Sequence, residues 1–275
     1  MLLFTVKAKL KALLGAGVPE AYSAESPPPS LIAKFGRPPT VYSADINLWM
    51  LEAAIGLLSK RSYDLVFLIT TDYIPHMYAP DEEPAKDYME RIDGLIGMLH
   101  EISFVIGIVA DHGMSRKTLK VNPKAVLERQ GIKALMIPLI KDQYVKHHRN
   151  LGGAAYIYLH DRRALKRAVA TLSEIEGVEF VLSREEAAAR FKLPPHRIGD
   201  IVLLGDKRTV FGDSGRGIYE CVDLRSHGSL HEVKVPLLMS ERYYEAPYGK
   251  VLNKDALIML IRAAFAKMRE GGFVP

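Results

Sequence analysis

Two short apolar runs, Asp64–Thr70 (DLVFLIT) and Phe104–Ala110 (FVIGIVA), each lead directly into acidic and histidine residues. No other feature of the chain constrains its fold as strongly. Continuous apolar runs of this length, rich in β-branched residues, predict buried strands. Between them, Ala44–Ser59 has helical apolar spacing through Leu48, Met50, Leu51, Ala54, Ile55 and Leu58. A polar loop is expected after the first run, then a helix over Pro84–Ile102. Strands alternating with helices predict a parallel α/β sheet. Sheets of that kind build their sites beyond the carboxyl ends of the strands, which is where the acidic and histidine residues fall.

The opening Leu2–Val6 is expected as a strand running straight into a helix, and the proline-rich Ser26–Pro39 as a loop. From Val121 to Tyr219 the texture changes. Strands are expected at Ala154–Leu159, Val178–Leu182 and Ile201–Leu204, and helices at Asp161–Glu174 and Arg184–Arg190. Gly212–Gly217 reads as a turn. The expected organisation is a core of residues 1–120 and 220–275 with an inserted α+β cap at 121–219. The chain returns to the core sheet near Val235–Met239 and ends in an amphipathic helix, Lys254–Arg269.

Composition narrows the function classes. Nearly half of the 275 residues are hydrophobic, enough for a sizeable core. The single cysteine, Cys221, excludes a disulfide within the chain and a thiolate metal cluster, and reads as a small buried residue. The net charge of +5 comes without a dense Lys/Arg block interleaved with aromatics, so no nucleic-acid partner is expected. A basic bias does suit small anions. In Met1–Leu14 the charges Lys7, Lys9 and Lys11 lie inside the apolar run, unlike a signal peptide. No uncharged apolar stretch is long enough to cross a membrane. A cytoplasmic protein without a membrane partner is the expectation.

Three motifs carry chemistry: Asp72 and His76 after the first run, Asp111-His112-Gly113 after the second, and His227-Gly228 before the returning strand. Zinc takes imidazole nitrogen and carboxylate oxygen. Two ions about 3.5–4 Å apart can clamp both ends of a phosphoryl transfer. Asp72, His76 and His227 make one ligand set, and Asp111 with His112 half of another. Each pair alone is equally compatible with a helix cap or a structural hydrogen bond.

The order of these motifs resembles the nucleotide pyrophosphatase/phosphodiesterase branch of the alkaline phosphatase superfamily. Longer segments are similar to its phosphonoacetate hydrolase family: Val41–Ala54, Thr70–Pro80, Ala110–Ser115, Arg184–Leu204 and Arg225–Leu238. The resemblance implies an alkaline-phosphatase-like, mostly parallel sheet flanked by helices. It implies two divalent metal ions, zinc above all, on Asp72, His76 and His227 and on Asp111 and His112. Lys7 and Lys9 match lysines that meet a substrate carboxylate; a solvated helix face is the other reading of that pair. The implied reaction splits the C–P bond of phosphonoacetate into acetate and phosphate. A phosphodiesterase or pyrophosphatase, and a non-catalytic metal-binding remnant, are the alternatives.

The family also has an N-terminal segment, with an aspartate ligand and a threonine nucleophile, that no residue here matches. The expectation is therefore a truncated chain with an incomplete second metal site, no identified catalytic residue and an exposed apolar sheet edge favouring a homo-oligomer. The resemblance places Asp45 at a non-ligand position. Thr70 and Thr71 are expected to cap or line the loop, His231 to serve a surface role, and His147 and His148 to lie in a loop near the cap. His100, His160 and His196 read as solvated or at the core edge.

Overall fold

The computed structural model describes residues 2–5, 20–60, 63, 65–102, 105–140, 151–213, 217–241 and 251–270. Strands β1 (Leu2–Thr5) and β2 (Glu20–Ser23) precede helices α1 (Pro29–Phe35) and α2 (Asp45–Leu58). Next come β3 (Val66–Ile69), α3 (Tyr73–Met77), α4 (Glu83–Ile102) and β4 (Gly107–Val109). Then follow β5 (Ser115–Val121), α5 (Pro123–Arg129), β6 (Ala134–Pro138), β7 (Ala154–Leu159), α6 (Leu165–Ser173), β8 (Val178–Ser183) and α7 (Arg184–Phe191). The last elements are β9 (Ile201–Gly205), β10 (Thr209–Phe211), β11 (Tyr219–Ser226), β12 (Leu237–Met239) and α8 (Ala256–Glu270). Two compact units divide the chain: Met1–Ala110 with Pro236–Pro275, and the intervening Asp111–Val235.

In the first unit β1 pairs in parallel with both β2 and β3, giving the order β2-β1-β3. Helix α2 is its centre. Ile46, Asn47, Leu48, Trp49, Met50, Leu51, Ala53, Ala54 and Leu57 are all buried, so the helix is covered on nearly every side rather than on one stripe. Leu99 of α4 and Leu31 of α1 join the same core. The stretch Ser26–Pro39 is not all loop. Pro29 opens α1, where its fixed φ and missing N–H cost nothing, and the buried Leu31 anchors that helix. Within the described residues 105–110 the expected second buried strand of the parallel sheet is replaced by a short one, Gly107–Val109, paired antiparallel with β12. Gly107 and Val109 are exposed, as is Leu238 of β12. Helix α8 also leaves Ile258, Ile261, Phe265 and Met268 exposed.

The second unit holds an antiparallel sheet, β6-β7-β9-β8, and a smaller one, β10-β5-β11. Alternation along the larger sheet sends Ala134, Met136, Ala155, Ile157, Ile201 and Leu203 to one core with Leu127, Ala168 and Leu172. The other face meets α7 through Ala187, Ile198 and Val202. Ser183 and Glu186 form a capping box at the start of α7. Cys221 is exposed on β11, not buried, at the end of a run of three exposed residues, Tyr219–Cys221. His100, His160 and His196 are exposed.

A buried carboxylate ties this unit together. Asp200 Oδ2 accepts the Leu159 N–H at 2.9 Å, and Oδ1 accepts Arg162 Nε at 2.8 Å and Arg184 at 2.9 Å. Burial pushes the Asp200 carboxyl up, but those hydrogen bonds and the two arginine charges outweigh it and hold it below the ordinary aspartate range. A lowered folded-state value gives stability that is present above the unfolded value, about 3.9, and lost as pH falls through the folded one. The stability gap between wild type and Asp200→Asn is therefore expected to be constant near neutrality and to narrow below about pH 4. Urea unfolding across pH measures it, and a gap that stays unchanged through the acid range would refute the assignment.

Candidate metal centre

Strand β3 hands over to Thr70 and the buried Thr71, and the chain then turns at once into the short helix α3. The segment expected as a polar loop is thus partly helical. Asp72 occupies the N-cap of α3, yet its side chain makes no cap hydrogen bond. Its Oδ2 faces His76 Nε2 at 3.1 Å instead, one helical turn on. The imidazole of His76 is fully buried, and Asp72 is 30% exposed. The i, i+4 spacing puts both donors on one side of the turn.

What fixes this turn is Asn47, a polar residue buried among the apolar ones of α2. Its Oδ1 accepts the Thr71 N–H at 2.9 Å, and its Nδ2 donates to the Thr71 carbonyl at 2.8 Å and to Tyr88 Oη at 2.6 Å. Burial raises the Tyr88 phenol, with the Asn47 bond opposing it, so Tyr88 stays protonated. Sequence reasoning passed over Asn47 and Tyr88. The available signal was an amide inside DINLWML, which burial obliges to find partners. Asp45 lies at the start of α2, exposed and paired with Arg91 at 3.2 Å, consistent with a non-ligand.

In the second unit Asp111, His112 and Gly113 precede β5. His112 Nδ1 sits 3.0 Å from the Gly113 carbonyl, which only accepts. Nδ1 therefore carries the hydrogen of that bond, leaving Nε2 with a lone pair in the neutral ring. Nε2 lies 3.6 Å from Asp111 Oδ1. The Gly113 N–H donates to the Glu232 carbonyl at 2.7 Å. The rings of His112 and His227 stack at 3.4 Å with a 9° angle between planes.

The loop after β11 is equally determined. Ser226 Oγ donates to the Leu151 carbonyl at 2.6 Å, and the His227 carbonyl accepts the Gly153 N–H at 2.8 Å. Gly228 has φ +105, where a side chain would be strained, and a Cβ on Gly153 would stand 2.7 Å from the Ser229 nitrogen. Beyond it, Glu232 is buried against Lys117 at 3.0 Å. Burial pushes the Glu232 carboxyl up, but hydrogen bonds from Ser115 and Ser229 and the Lys117 ammonium bring it below the usual glutamate range. His231, next to it, faces outward to Glu179 at 2.7 Å.

The structure thus brings Asp72 to His76, Asp111 to His112, and His112 to His227. The donor atoms suit a divalent cation: carboxylate oxygens, and an imidazole whose second nitrogen is committed to a carbonyl. Lys7, Lys9, His147 and His148 lie outside the described residues. Among the described residues no helix is long and apolar enough to cross a membrane.

Residues 41–230 match the family model described as type I phosphodiesterase / nucleotide pyrophosphatase. Crystal structures of phosphonoacetate hydrolase from Sinorhizobium meliloti 1021 are similar to this chain. The complex with phosphonoformate has a TM-score of 0.84 and 35% identity, and covers 96% of this chain and 70% of that chain. The complex with phosphonoacetate has a TM-score of 0.83 and 34% identity over the same shares. Murine ectonucleotide pyrophosphatase / phosphodiesterase 5 with AMP shares the fold at a TM-score of 0.63 and 15% identity, covering 96% of this chain and 67% of that one. The fold is the alkaline-phosphatase-like α/β arrangement expected from the sequence.

Removing the Asn47 clamp leaves a buried peptide unit without partners. Asn47→Ala is expected to cost about 1–3 kcal/mol in urea unfolding. A loss within a few tenths of a kcal/mol would show that the clamp is not needed.

Proposed function

We propose a function from one premise: the chain belongs to the type I phosphodiesterase / nucleotide pyrophosphatase family, a family of hydrolases. Within it, this chain is a metal-dependent hydrolase of the phosphonoacetate hydrolase type. Water is added across the C–P bond of phosphonoacetate, and acetate and phosphate are released. The observation that carries this reading is the 35% identity to phosphonoacetate hydrolase across 96% of the chain.

Asp72, His76 and His227 would hold one ion, and Asp111 and His112 would contribute to a second. Zinc is the first choice for such nitrogen and oxygen donors, although manganese or iron accept similar sets. When bound, such ions supply Lewis-acid stabilisation of the charge that develops at phosphorus and on the leaving group. The protein's own part is positional. Burial of His76 against Asp72 excludes water from one donor. The Gly113 carbonyl holds His112 in the tautomer whose hydrogen is on Nδ1. Lys7 and Lys9, by the family resemblance, would meet the substrate carboxylate. The family nucleophile is a threonine that no position of this sequence matches, so no residue is assigned that role. The Asp111–Val235 unit, inserted in sequence between the two parts of the first, contains the whole of the segment 121–219 read as a cap.

The family description favours a second reading, a phosphodiesterase. The two separate by substrate: phosphonoacetate yields phosphate only in the first, and bis(p-nitrophenyl) phosphate yields nitrophenol in the second. The first reading requires phosphate release from phosphonoacetate in excess zinc, lowered at least about 100-fold by His227→Ala, and such release would mean that a residue other than the family threonine supplies the nucleophile. Nitrophenol without phosphate would move the assignment to the second reading. Turnover of neither substrate would leave a non-catalytic metal-binding protein.

A further inference from the structure

Lys117 and Glu232 are the most thoroughly buried ion pair among the described residues. Their side chains are 0% and 1% exposed. Taking two charges out of water is costly, and an apolar pair of similar volume often serves stability as well or better. Stability alone is therefore a weak reason for the pair, and its bonds lead elsewhere.

Glu232 touches both loops that carry His112 and His227. Its Oε2 accepts the Ser229 N–H at 2.9 Å and the Ser229 Oγ–H at 2.7 Å, two residues past His227. Its main-chain carbonyl accepts the Gly113 N–H at 2.7 Å, one residue past His112. Its Oε1 takes the Lys117 ammonium at 3.0 Å, and Lys117 also donates to the Lys207 carbonyl at 3.0 Å, in the turn between β9 and β10. One residue thus joins the two loops, and one ammonium fixes that residue to the sheets.

We propose that the Lys117–Glu232 pair is a positioning device that holds the His112 and His227 imidazoles in their 3.4 Å stack. Neither residue touches substrate. The pair acts through the Gly113 and Ser229 main chain, and it would set the two rings before any cation arrives. This rests on the function proposed above only where it concerns metal binding. The ring geometry can be tested without metal.

The test uses the full chain labelled at histidine. Stacked aromatic rings shift each other's ring protons upfield, and His112→Gln and His227→Gln assign the signals. Two variants are compared with wild type. Ser229→Ala removes one bond between Glu232 and the His227 loop without changing charge. Lys117→Met with Glu232→Leu removes both charges together, avoiding the lone buried lysine that a single substitution would leave. In metal-free protein, the upfield shift is expected to shrink in Ser229→Ala and to vanish in the double variant, while the double variant still melts cooperatively. Zinc competition against a chromogenic chelator should then show a Kd raised about 10–100-fold in the double variant, as for other lost supports of metal ligands. If the double variant folds with ring shifts and zinc affinity unchanged, the pair only stabilises the unit and the proposal fails. If the double variant does not fold, Ser229→Ala decides, and unchanged shifts there overturn the proposal. If wild type binds no zinc but the ring shifts respond as expected, the metal reading falls and the positioning role stands.

Discussion

A polar group taken out of water must be bonded, and in both units this obligation determines where the candidate ligands sit. In the first unit the amide of Asn47 is buried within α2 and satisfies itself on the Thr71 peptide and Tyr88. Thr71 is the residue before Asp72, so a helix at the centre of the core dictates where the Asp72–His76 turn begins. In the second unit the buried Glu232 carboxylate does the same for two loops at once. These bonds are expensive to leave unmade, about 1–3 kcal/mol for each neutral group and more for a charge. The loops are therefore held more firmly than their exposure would suggest.

The same physics decides what could be read from the sequence. Ala154–Leu159 was legible because six residues of alternating, β-rich sequence with a buried face admit little else. The long helix Glu83–Ile102 was legible from its period. Strand β5, SRKTLKV, was not. Lys117 and Lys120 are three apart and so lie on opposite faces of the strand, yet both are buried, and lysine there reads as surface until its partners Glu232 and Glu220 are known. Those partners lie 115 and 100 residues away in sequence, beyond any local pattern. Strand β11 hides for a related reason. It is mostly exposed, and its register shifts between Cys221 and Leu224.

The candidate site divides along the same line. Asp72, His76, Asp111, His112 and His227 were found as motifs, because chemistry-bearing residues stand next to strand ends. Their supports were not found, because support is a tertiary property. The Asp72 side chain illustrates the difference. By sequence it is an obvious N-cap, and it does occupy that position, but it makes no cap hydrogen bond. Its carboxylate faces the His76 imidazole at 3.1 Å instead, and the capping potential of Asp72 goes unused.

The acid–histidine pairs of the two units differ in how far they are organised in advance. His76 is wholly buried and Asp72 is 30% exposed, so both have already lost much of their rotamer freedom. Asp111 is 84% exposed, and its carboxylate bonds only its neighbour's N–H at 3.1 Å, leaving most of that freedom to be lost on binding. Burial thus makes Asp72–His76 the better organised of the two pairs, although Asp111 is the more accessible carboxylate. The exposed pair compensates in one respect. The hydrogen bond from His112 Nδ1 to the Gly113 carbonyl fixes the tautomer, and the Gly113 N–H is in turn bonded to the Glu232 main chain. What remains adjustable there is the aspartate, so a ligand meeting this pair needs to order one carboxylate rather than a whole loop.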